Sequence, residues 1–230
     1  MNEVLQKIIA VRNGLSRRQA EGLIRSGSVM LDGKIAKLGD RGNETSKILV
    51  NGRELRIAPD KIYIMLNKPK GYTCTNRYFA GEHNIFELVP INEKLFAVGR
   101  LDKDSRGLIL LTNDGALAEK LSHPRYGCEK EYEVLIDQDI DVSKKLTAGI
   151  DIKEEDGVVW AKKAKYLKDN KYSVILSQGK KRQIRRMFQV LDIKVLDLRR
   201  IKLANLELKD LREGKSRQLT SVEIQKLKKF

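Results

Sequence analysis

Apolar residues at the start of the chain recur at the spacing of an α-helix. One short helix is predicted from Leu5, Ile8 and Ile9. Ser16 and Gln19 have the spacing of a capping box, which predicts the first turn of a second helix. The apolar stripe of that helix comprises Ala20, Leu23 and Ile24. The pattern therefore predicts two successive helices, and Gly27 is placed to end the second one.

Two dipeptides typical of β-hairpin turns follow the helices, Asp32-Gly33 and Asn51-Gly52. Three arginines of the second helix fall outside its apolar stripe and would face solvent: Arg17, Arg18 and Arg25. A helix pair with exposed arginines and a small sheet is typical of a nucleic-acid-binding module, although a merely solvated helix face fits equally well. We predict one domain over residues 1–58, a linker around Pro59, and a second domain over residues 59–230.

The second domain has the pattern of strands separated by loops. Five segments predict strands: Ile62–Leu66, Leu95–Val98, Leu108–Leu111, Lys130–Ile136 and Tyr172–Leu176. In the fourth of these, alternation puts Tyr132, Val134 and Ile136 on one face. Polar stretches after the first three strands predict turns or loops at Asn67–Gly71, Gly99–Asp102 and Thr112–Gly115.

Helical spacing returns in two segments near the end of the chain. Four apolar residues of segment 183–191 fall on one helix face: Ile184, Met187, Phe188 and Leu191. Thr220 and Glu223 have capping-box spacing and predict the start of a last helix. Many strands with few helices, not in regular alternation, are typical of an α+β fold whose sheet is mainly antiparallel.

Composition adds a strong and uneven positive charge. The 230 residues include 46 Lys and Arg against 31 Asp and Glu, a net charge of +15. Residues 59–161 hold 14 basic and 18 acidic residues, whereas residues 162–203 hold 14 basic and 3 acidic ones. This excess favours a polyanionic partner, nucleic acid before an anionic membrane. Lysines that only solubilise the surface are the alternative.

The same composition argues against several kinds of chemistry. The two cysteines, Cys74 and Cys128, and the two histidines, His83 and His123, are isolated, so no metal site is expected. The glycine-rich motifs that bind nucleotide phosphates are absent, so no cofactor is expected. Without a membrane-spanning run or a secretory signal pattern, we expect a cytoplasmic protein with no membrane partner.

One loop segment holds candidate chemistry: GRLDKDSRGLILLTNDG, residues 99–115. Asp102 lies between two predicted strands, at a position where catalytic groups often lie. On the pattern alone, an Asx-turn or a loop salt bridge is the favoured role for this aspartate.

Several segments resemble known families. The run NGLSRRQAEGLIRSGSVMLDGK resembles the S-four RNA-binding domain, over roughly residues 3–57. This resemblance implies binding to structured RNA, with Arg17, Arg18 and Arg25 on phosphates, which supply affinity but little sequence information. Residues 99–115 resemble the signature of pseudouridine synthases that modify ribosomal RNA and carry such an N-terminal domain. Three further segments match this family in order: LNKPKGYTCT, HPR…CEKEYEV and SQGKKRQIRRMF with the stretch after it.

The resemblance spans essentially the whole chain and implies both fold and activity. It implies a small α/β S-four-like domain followed by an α+β catalytic domain with a mainly antiparallel mixed sheet and flanking helices. It implies an enzyme that detaches uracil of a specific uridine from its ribose, rotates the base and rejoins it through a carbon, with no cofactor. The expected partner is ribosomal RNA or a ribosomal precursor particle, and a monomer is expected.

The resemblance implies a catalytic role for three residues. Asp102 matches the nucleophile, which attacks either the anomeric carbon or the base. Tyr132 matches the tyrosine that stacks on the base; without the match it would be a core tyrosine. Arg185 matches the residue that pairs with the nucleophile, and the alternative is a solvated helix face shared with Arg182 and Arg186. An adjacent guanidinium would keep a desolvated carboxylate ionised.

Three further residues are implied to contact the substrate. Arg100 matches a residue that fills the gap left by the flipped nucleotide, and a plain phosphate contact is the alternative. Lys68 would shape the pocket rim, and Ile184 would form an apolar wall of the base pocket, with core packing equally consistent. The chain departs from the family at Gln178–Lys181, where Glu-Gly-Arg is usual, which leaves the target uridine open.

Two classes of function follow. The first is an enzyme that isomerises a uridine in ribosomal RNA, and the second is a ribosome-assembly or RNA-binding factor that kept the fold and lost catalysis. The presence of Asp102, Tyr132 and Arg185 favours the enzyme. A DNA-binding repressor is disfavoured, because the helix pair lacks dimer-forming heptads and most of the chain would go unused.

Overall fold

The chain divides into two compact units. The computed structural model describes residues 2–43, 45–55, 60–75, 77, 79–91, 93–153 and 156–230. The N-terminal unit comprises Met1–Lys61 with Asn92–Lys94, and the C-terminal unit comprises Ile62–Ile91 with Leu95–Phe230. The predicted boundary between residues 58 and 59, with its linker at Pro59, lies outside the described residues and stays a prediction.

The N-terminal unit combines two helices with short strands. Its elements are β1 (Glu3–Val4), α1 (Leu5–Arg12), α2 (Arg17–Arg25), β2 (Val29–Leu31), β3 (Lys34–Ile35), β4 (Arg41–Gly42), β5 (Ile48–Val50) and β6 (Arg53–Glu54). An antiparallel sheet has the order β3-β2-β5-β6, and β1 pairs with β4.

Local sequence signals explain this unit. The Gln19 N–H donates to Ser16 Oγ over 3.2 Å, and the Ser16 N–H donates to Gln19 Oε1 over 2.8 Å, which completes the predicted capping box of α2. Asp32 and Asn51 adopt positive φ in the turns of the β2–β3 and β5–β6 hairpins, as the two-residue turn requires. The predicted apolar residues of both helices pack into one small core.

The C-terminal unit contains the larger sheet. Its elements are β7 (Tyr63–Lys68), β8 (Tyr72–Thr73), β9 (His83–Asn84), β10 (Phe96–Val98), β11 (Arg106–Thr112), α3 (Gly115–Ser122), β12 (Lys130–Ile136), α4 (Ser143–Ala148), β13 (Ile150–Asp151), β14 (Val158–Val159), β15 (Lys163–Tyr166), β16 (Lys171–Leu176), α5 (Gln183–Val190), β17 (Val195–Leu203), β18 (Leu206–Glu207), β19 (Ser216–Gln218) and α6 (Ser221–Lys229). Two short 3₁₀ helices lie at Ile85–Leu88 and Pro124–Tyr126.

One sheet organises the C-terminal unit. Its strand order is β15-β16-β12-β17-β11-β7-β19, with β10 paired to β11 and β18 paired to β17. The β11–β17 pair is parallel, whereas the other pairs of this sheet are antiparallel. This arrangement confirms the predicted α+β fold with a mainly antiparallel mixed sheet.

Apolar side chains pack against both faces of this sheet. Neighbouring residues of β7 belong to different core clusters, with Ile64 on one face and Met65 on the other. The first face is covered by apolar residues of α5, namely Ile184, Met187 and Phe188. The second is covered by leucines of α3 and α6, namely Leu117, Leu121 and Leu227. Burial on both faces explains why β7 and β11 have unbroken apolar runs. No helix in the described part of the chain is long and apolar enough to cross a bilayer.

The structure corrects one of the predicted turns and adds two elements that were not predicted. The strand β7 continues through Asn67 to Lys68, and both residues are buried, because their polar side chains find backbone acceptors. At the end of β11, the Asp114 side chain accepts from the Leu117 N–H and caps α3, a helix that the pattern did not predict. The strand β17 was also not predicted, because charged residues interrupt its apolar positions.

A close approach of two backbones joins β11 to β17. Gly107 pairs with Arg200 and adopts a φ of +108°. A Cβ atom at residue 107 would lie 2.3 Å from the Arg200 carbonyl oxygen, so only glycine fits at this position. The contact sets the position of Arg200 relative to the loop before β11.

Candidate active site

Asp102 lies in a cleft of about 580 Å³ in the C-terminal unit. The walls come from the loop between β10 and β11, from β12 and β17, and from the start of α5 with the turn before it. Arg100, Tyr132 and Ile184 line the same cleft. The structure thus brings together four of the residues that the sequence selected.

The buried side chain of Lys68 holds the loop that presents Asp102. The Lys68 Nζ donates to the carbonyl oxygens of Pro69, Asp102 and Ser105 over 3.0, 3.1 and 2.7 Å. The Ser105 N–H also donates to the Asp102 carbonyl oxygen over 3.0 Å. The Asp102 side chain remains 37% exposed, so a hydrogen-bonded loop backbone presents an accessible carboxyl group.

Lys68 does not occupy the pocket rim that was predicted for it. Its side chain is fully buried, and three carbonyl acceptors satisfy its three N–H donors. Burial lowers the pKa of the ammonium group. Its three donors are therefore occupied beneath the loop, and Lys68 is not among the residues that line the cleft.

The predicted ion pair between Arg185 and Asp102 is not formed. Arg185 Nε lies 3.3 Å from a carboxylate oxygen of Asp104, and Nη2 donates to the Asp104 carbonyl oxygen over 3.0 Å. Its Nη1 donates to the Val195 carbonyl oxygen over 2.9 Å. The guanidinium is therefore held between the far end of the loop and β17, and it lines a neighbouring cleft of about 810 Å³.

Arg182 is the arginine that approaches Asp102. Its Nη1 lies 4.0 Å from Asp102 Oδ2, and its two terminal nitrogens each donate to Asp104 over 2.9 Å. This bidentate contact, helped by Arg185, lowers the pKa of the Asp104 carboxyl. Asp104 thus anchors both arginines, and Arg182 lies between the two aspartates.

Tyr132 and Ile184 are both core residues and cleft walls. They are 8% and 4% exposed and belong to the core cluster on the first face of the sheet. Both also line the cleft; stacking on the base by Tyr132 and the base-pocket role of Ile184 stay predictions. An aromatic and an aliphatic wall suit a flat, partly apolar ring such as a nucleobase.

The cleft is strongly positive. Seven of its lining residues are Lys or Arg, and Asp102 is the one acidic residue among those described there. Arg100 is exposed at its edge. Such an excess of cations attracts phosphate groups. In the N-terminal unit, Arg17, Arg18 and Arg25 are exposed on α2, as predicted, and their contact with phosphate stays a prediction.

The described residues show no cluster of three or more His, Cys, Asp or Glu that could hold a metal ion. Cys74 and Cys128 are free thiols, and burial raises the pKa of each.

Comparisons with known proteins decide the family. The family model described as RNA pseudouridylate synthase matches residues 62–190, which include Asp102, Tyr132 and Arg185. The chain belongs to the RNA pseudouridylate synthase family. The S4 (S-four) domain model matches residues 5–41 of the synthase, within the N-terminal unit.

Relatives match the synthase over nearly its whole length. An uncharacterized RNA pseudouridine synthase of Aquifex aeolicus is 36% identical over 98% of this chain and 96% of its own. The ribosomal large subunit pseudouridine synthase B of Bacillus subtilis is also 36% identical, over 98% and 96%. The ribosomal small subunit pseudouridine synthase A of Haemophilus influenzae is 35% identical over 98% and 99%.

A solved structure shows the same fold. The crystal structure of a pseudouridylate synthase matches with a TM-score of 0.72 and 34% identity, over 97% of this chain and 99% of the other. These findings confirm the predicted family, fold and enzyme class. The synthase isomerises uridine to pseudouridine in RNA.

Three charged residues of the site were not predicted from the sequence: Lys130, Asp104 and Arg200. Two signals were available. Lys130 shares the inward face of its predicted strand with Tyr132, so alternation alone places it inside. Arg199 and Arg200 are adjacent on β17 and must point to opposite faces, so one of them faces the core.

Proposed function

We propose that the synthase isomerises a uridine of ribosomal RNA, with Asp102 as the nucleophile. Relatives named for the large and the small ribosomal subunit match nearly the full chain, which supports ribosomal RNA as the substrate. The observation that carries the catalytic assignment is the cleft, in which one carboxylate lies among seven cations. A flipped nucleotide suits this cleft, with its phosphates at the positive edge and its base between Tyr132 and Ile184.

The reaction needs a nucleophile and a fixed pocket. The bond between N1 of uracil and C1′ of the ribose breaks, the base turns, and C5 bonds to C1′. C5 loses its proton and N1 gains one, so neither an oxidant nor a phosphate donor is consumed. Asp102 supplies the nucleophilic oxygen, and Lys68 holds its backbone at a fixed place. Fixed placement supports catalysis, because an oriented reacting group has already lost much of its translational and rotational entropy.

Arg182 and Arg185 act in this proposal as positioning residues. Both guanidinium groups bind Asp104, the second aspartate of the loop, and Arg182 also lies 4.0 Å from Asp102. Arg185 therefore acts on the nucleophile through Asp104, which replaces the direct pairing expected from the sequence. Arg100 at the cleft edge is proposed to contact the RNA where the nucleotide leaves its stack.

The N-terminal unit supplies the second RNA contact in this proposal. Its S4 domain match and the exposed Arg17, Arg18 and Arg25 support docking on a folded RNA element away from the target. Two tethered weak contacts raise the effective concentration of the second one. A monomeric state and a cytoplasmic location belong to the same proposal.

Mapping of pseudouridine tests the function. Transcribed small- and large-subunit ribosomal RNAs, free and in precursor particles, are incubated with the purified protein, and transfer RNA serves as the comparison substrate. We expect new pseudouridine at a defined position of one ribosomal RNA. Modification of transfer RNA alone would overturn the substrate assignment. Tight binding to ribosomal RNA without any new pseudouridine would instead indicate a non-catalytic assembly factor.

A further inference from the structure

The cleft contains buried polar atoms that no residue of the chain satisfies. Among the described residues that line it, three side-chain atoms are buried and have no hydrogen-bond partner: Ser105 Oγ, Gln178 Nε2 and Arg200 Nη2. Buried polar atoms in native proteins are nearly always hydrogen-bonded. Three such atoms in one cleft point to a ligand that supplies their partners.

Arg200 is the most unusual of the three. It is 1% exposed, its Nε donates to the Leu108 carbonyl oxygen over 2.7 Å, and no ion pair of the described residues includes it. A Cβ atom at Gly99 would lie 3.7 Å from Nη1, so the loop backbone at this glycine runs close to the guanidinium. A buried charge without a counter-ion is costly, and a ligand with acceptor atoms would offset that cost.

The cations of the cleft form two layers. Arg100, Lys180 and Lys181 are exposed, whereas Lys130 and Arg200 are buried. The Lys130 Nζ donates to the Cys128 carbonyl oxygen over 3.0 Å, and burial together with the charge of Arg200 lowers the pKa of Lys130. Phosphates remain near solvent, so the exposed layer suits them. The buried layer suits the part of a flipped nucleotide that enters deepest, which is the base.

The hydrogen-bonding chemistry of the base then selects the partner. An arginine side chain only donates hydrogen bonds. Uracil offers two carbonyl acceptors, O2 and O4, whereas cytosine carries a donating amino group in place of O4. We infer that Arg200 recognises the flipped base by donating to the O4 carbonyl oxygen of uracil, and that Gln178 and Ser105 bind the same polar edge. This inference rests on the proposed role of the cleft and assigns Arg200 as a specificity-determining residue.

Binding of mononucleotides tests the inference without requiring turnover or a known RNA target. Titrations with uridine and cytidine 5′-monophosphate are followed by NMR for the full chain and two variants. Arg200→Gln removes the charge at the cleft, and Arg199→Gln removes the same charge on the same strand, at a residue that pairs with Glu133 outside the cleft. We expect the wild type to prefer the uridine nucleotide about tenfold, Arg200→Gln to lose this preference, and Arg199→Gln to keep it.

Equal affinity of the wild type for both nucleotides, or an unchanged preference in Arg200→Gln, overturns the inference. Thermal melting shows whether Arg200→Gln is folded. If Arg200→Gln is not folded, binding of 4-thiouridine 5′-monophosphate to the wild type tests the inference instead. Sulfur at position 4 accepts a weaker hydrogen bond than oxygen does. Weaker binding of the thio nucleotide to the wild type than of uridine 5′-monophosphate supports the inference, and equal binding overturns it. An intact preference in a protein that forms no pseudouridine would overturn the proposed function alone.

Discussion

The arginines of α2 and those at the start of α5 have the same chemistry in opposite surroundings. On α2, Arg17, Arg18 and Arg25 are exposed and take part in no ion pair shown by the described residues. At α5, Arg182 and Arg185 are held by the side chain and the backbone of Asp104. Both regions are positively charged, but only the arginines at α5 are held in place by hydrogen bonds within the protein.

This difference in hydrogen bonding indicates what each group of arginines contributes to RNA binding or to catalysis. A free arginine neutralises a phosphate in many geometries, so it contributes affinity that depends on salt. An arginine held by several hydrogen bonds contributes position, which matters for the chemical step. We therefore expect substitutions around the Asp102 loop to change turnover, and substitutions on α2 to change RNA affinity.

The largest effect is expected for the nucleophile. Asp102→Asn keeps the shape and polarity of the side chain and removes its nucleophilic oxygen, so we expect turnover to fall at least about 10³-fold. RNA affinity and the melting temperature should stay close to those of the wild type. Tritium release from RNA labelled at C5 of uracil measures the turnover. Repeated turnover by the Asn variant at near the wild-type rate would exclude Asp102 as the nucleophile.

A smaller loss of turnover is expected for the positioning arginine. Arg185→Met should lower the single-turnover rate at saturating RNA about 10- to 100-fold, because a misplaced reacting group is costly even over about 1 Å. Asp104→Asn should reproduce the loss, since the arginine acts through Asp104. Arg186→Met is the matched control, because Arg186 pairs with Asp156 over 2.6 Å instead. If Arg185→Met lowered only the RNA affinity and left the rate unchanged, Arg185 would be an ordinary contact to the phosphate backbone of the RNA.

The smallest effect is expected on α2. Replacing Arg17, Arg18 and Arg25 together by Ala should weaken RNA binding several-fold and reduce the slope of log affinity against log salt by about 2, at about 0.7–0.9 per phosphate lost. The rate at saturating RNA should not change. Replacing three exposed lysines of the same unit, Lys34, Lys37 and Lys47, removes equal charge as a control. Equal salt slopes for both triple variants would show that α2 is not the docking face.

Features decided within a few residues could be predicted from the sequence. The capping box of Ser16 and Gln19 was found because both partners lie in one helix turn. Strand 130–136 was found with its bounds and its inward face, because alternation is visible within the segment itself. The same holds for Asp102, whose loop position and exposure follow from the strands on either side.

Features that depend on distant residues could not be predicted. Lys68 and Asn67 looked like turn residues, because the carbonyl groups that satisfy them come from residues 102, 105 and 211. Arg185 matched the family position, yet its partner depends on how α5 packs beside the loop and β17. The burial of Arg200 required the parallel pairing of β11 with β17, which brings residues 107 and 200 together.

Lys68 supports the loop through backbone atoms only. The conformation of the loop is therefore independent of the reactive side chain at position 102. All three hydrogen bonds of the ammonium go to carbonyl oxygens, which every amino acid provides, so the backbone from residue 102 to 105 is supported whatever side chain stands at position 102. A protein inactivated at that position keeps the surface that meets RNA. Immobilised Asp102→Asn protein can therefore serve as bait, and the RNA cross-linked to it would identify the natural substrate directly.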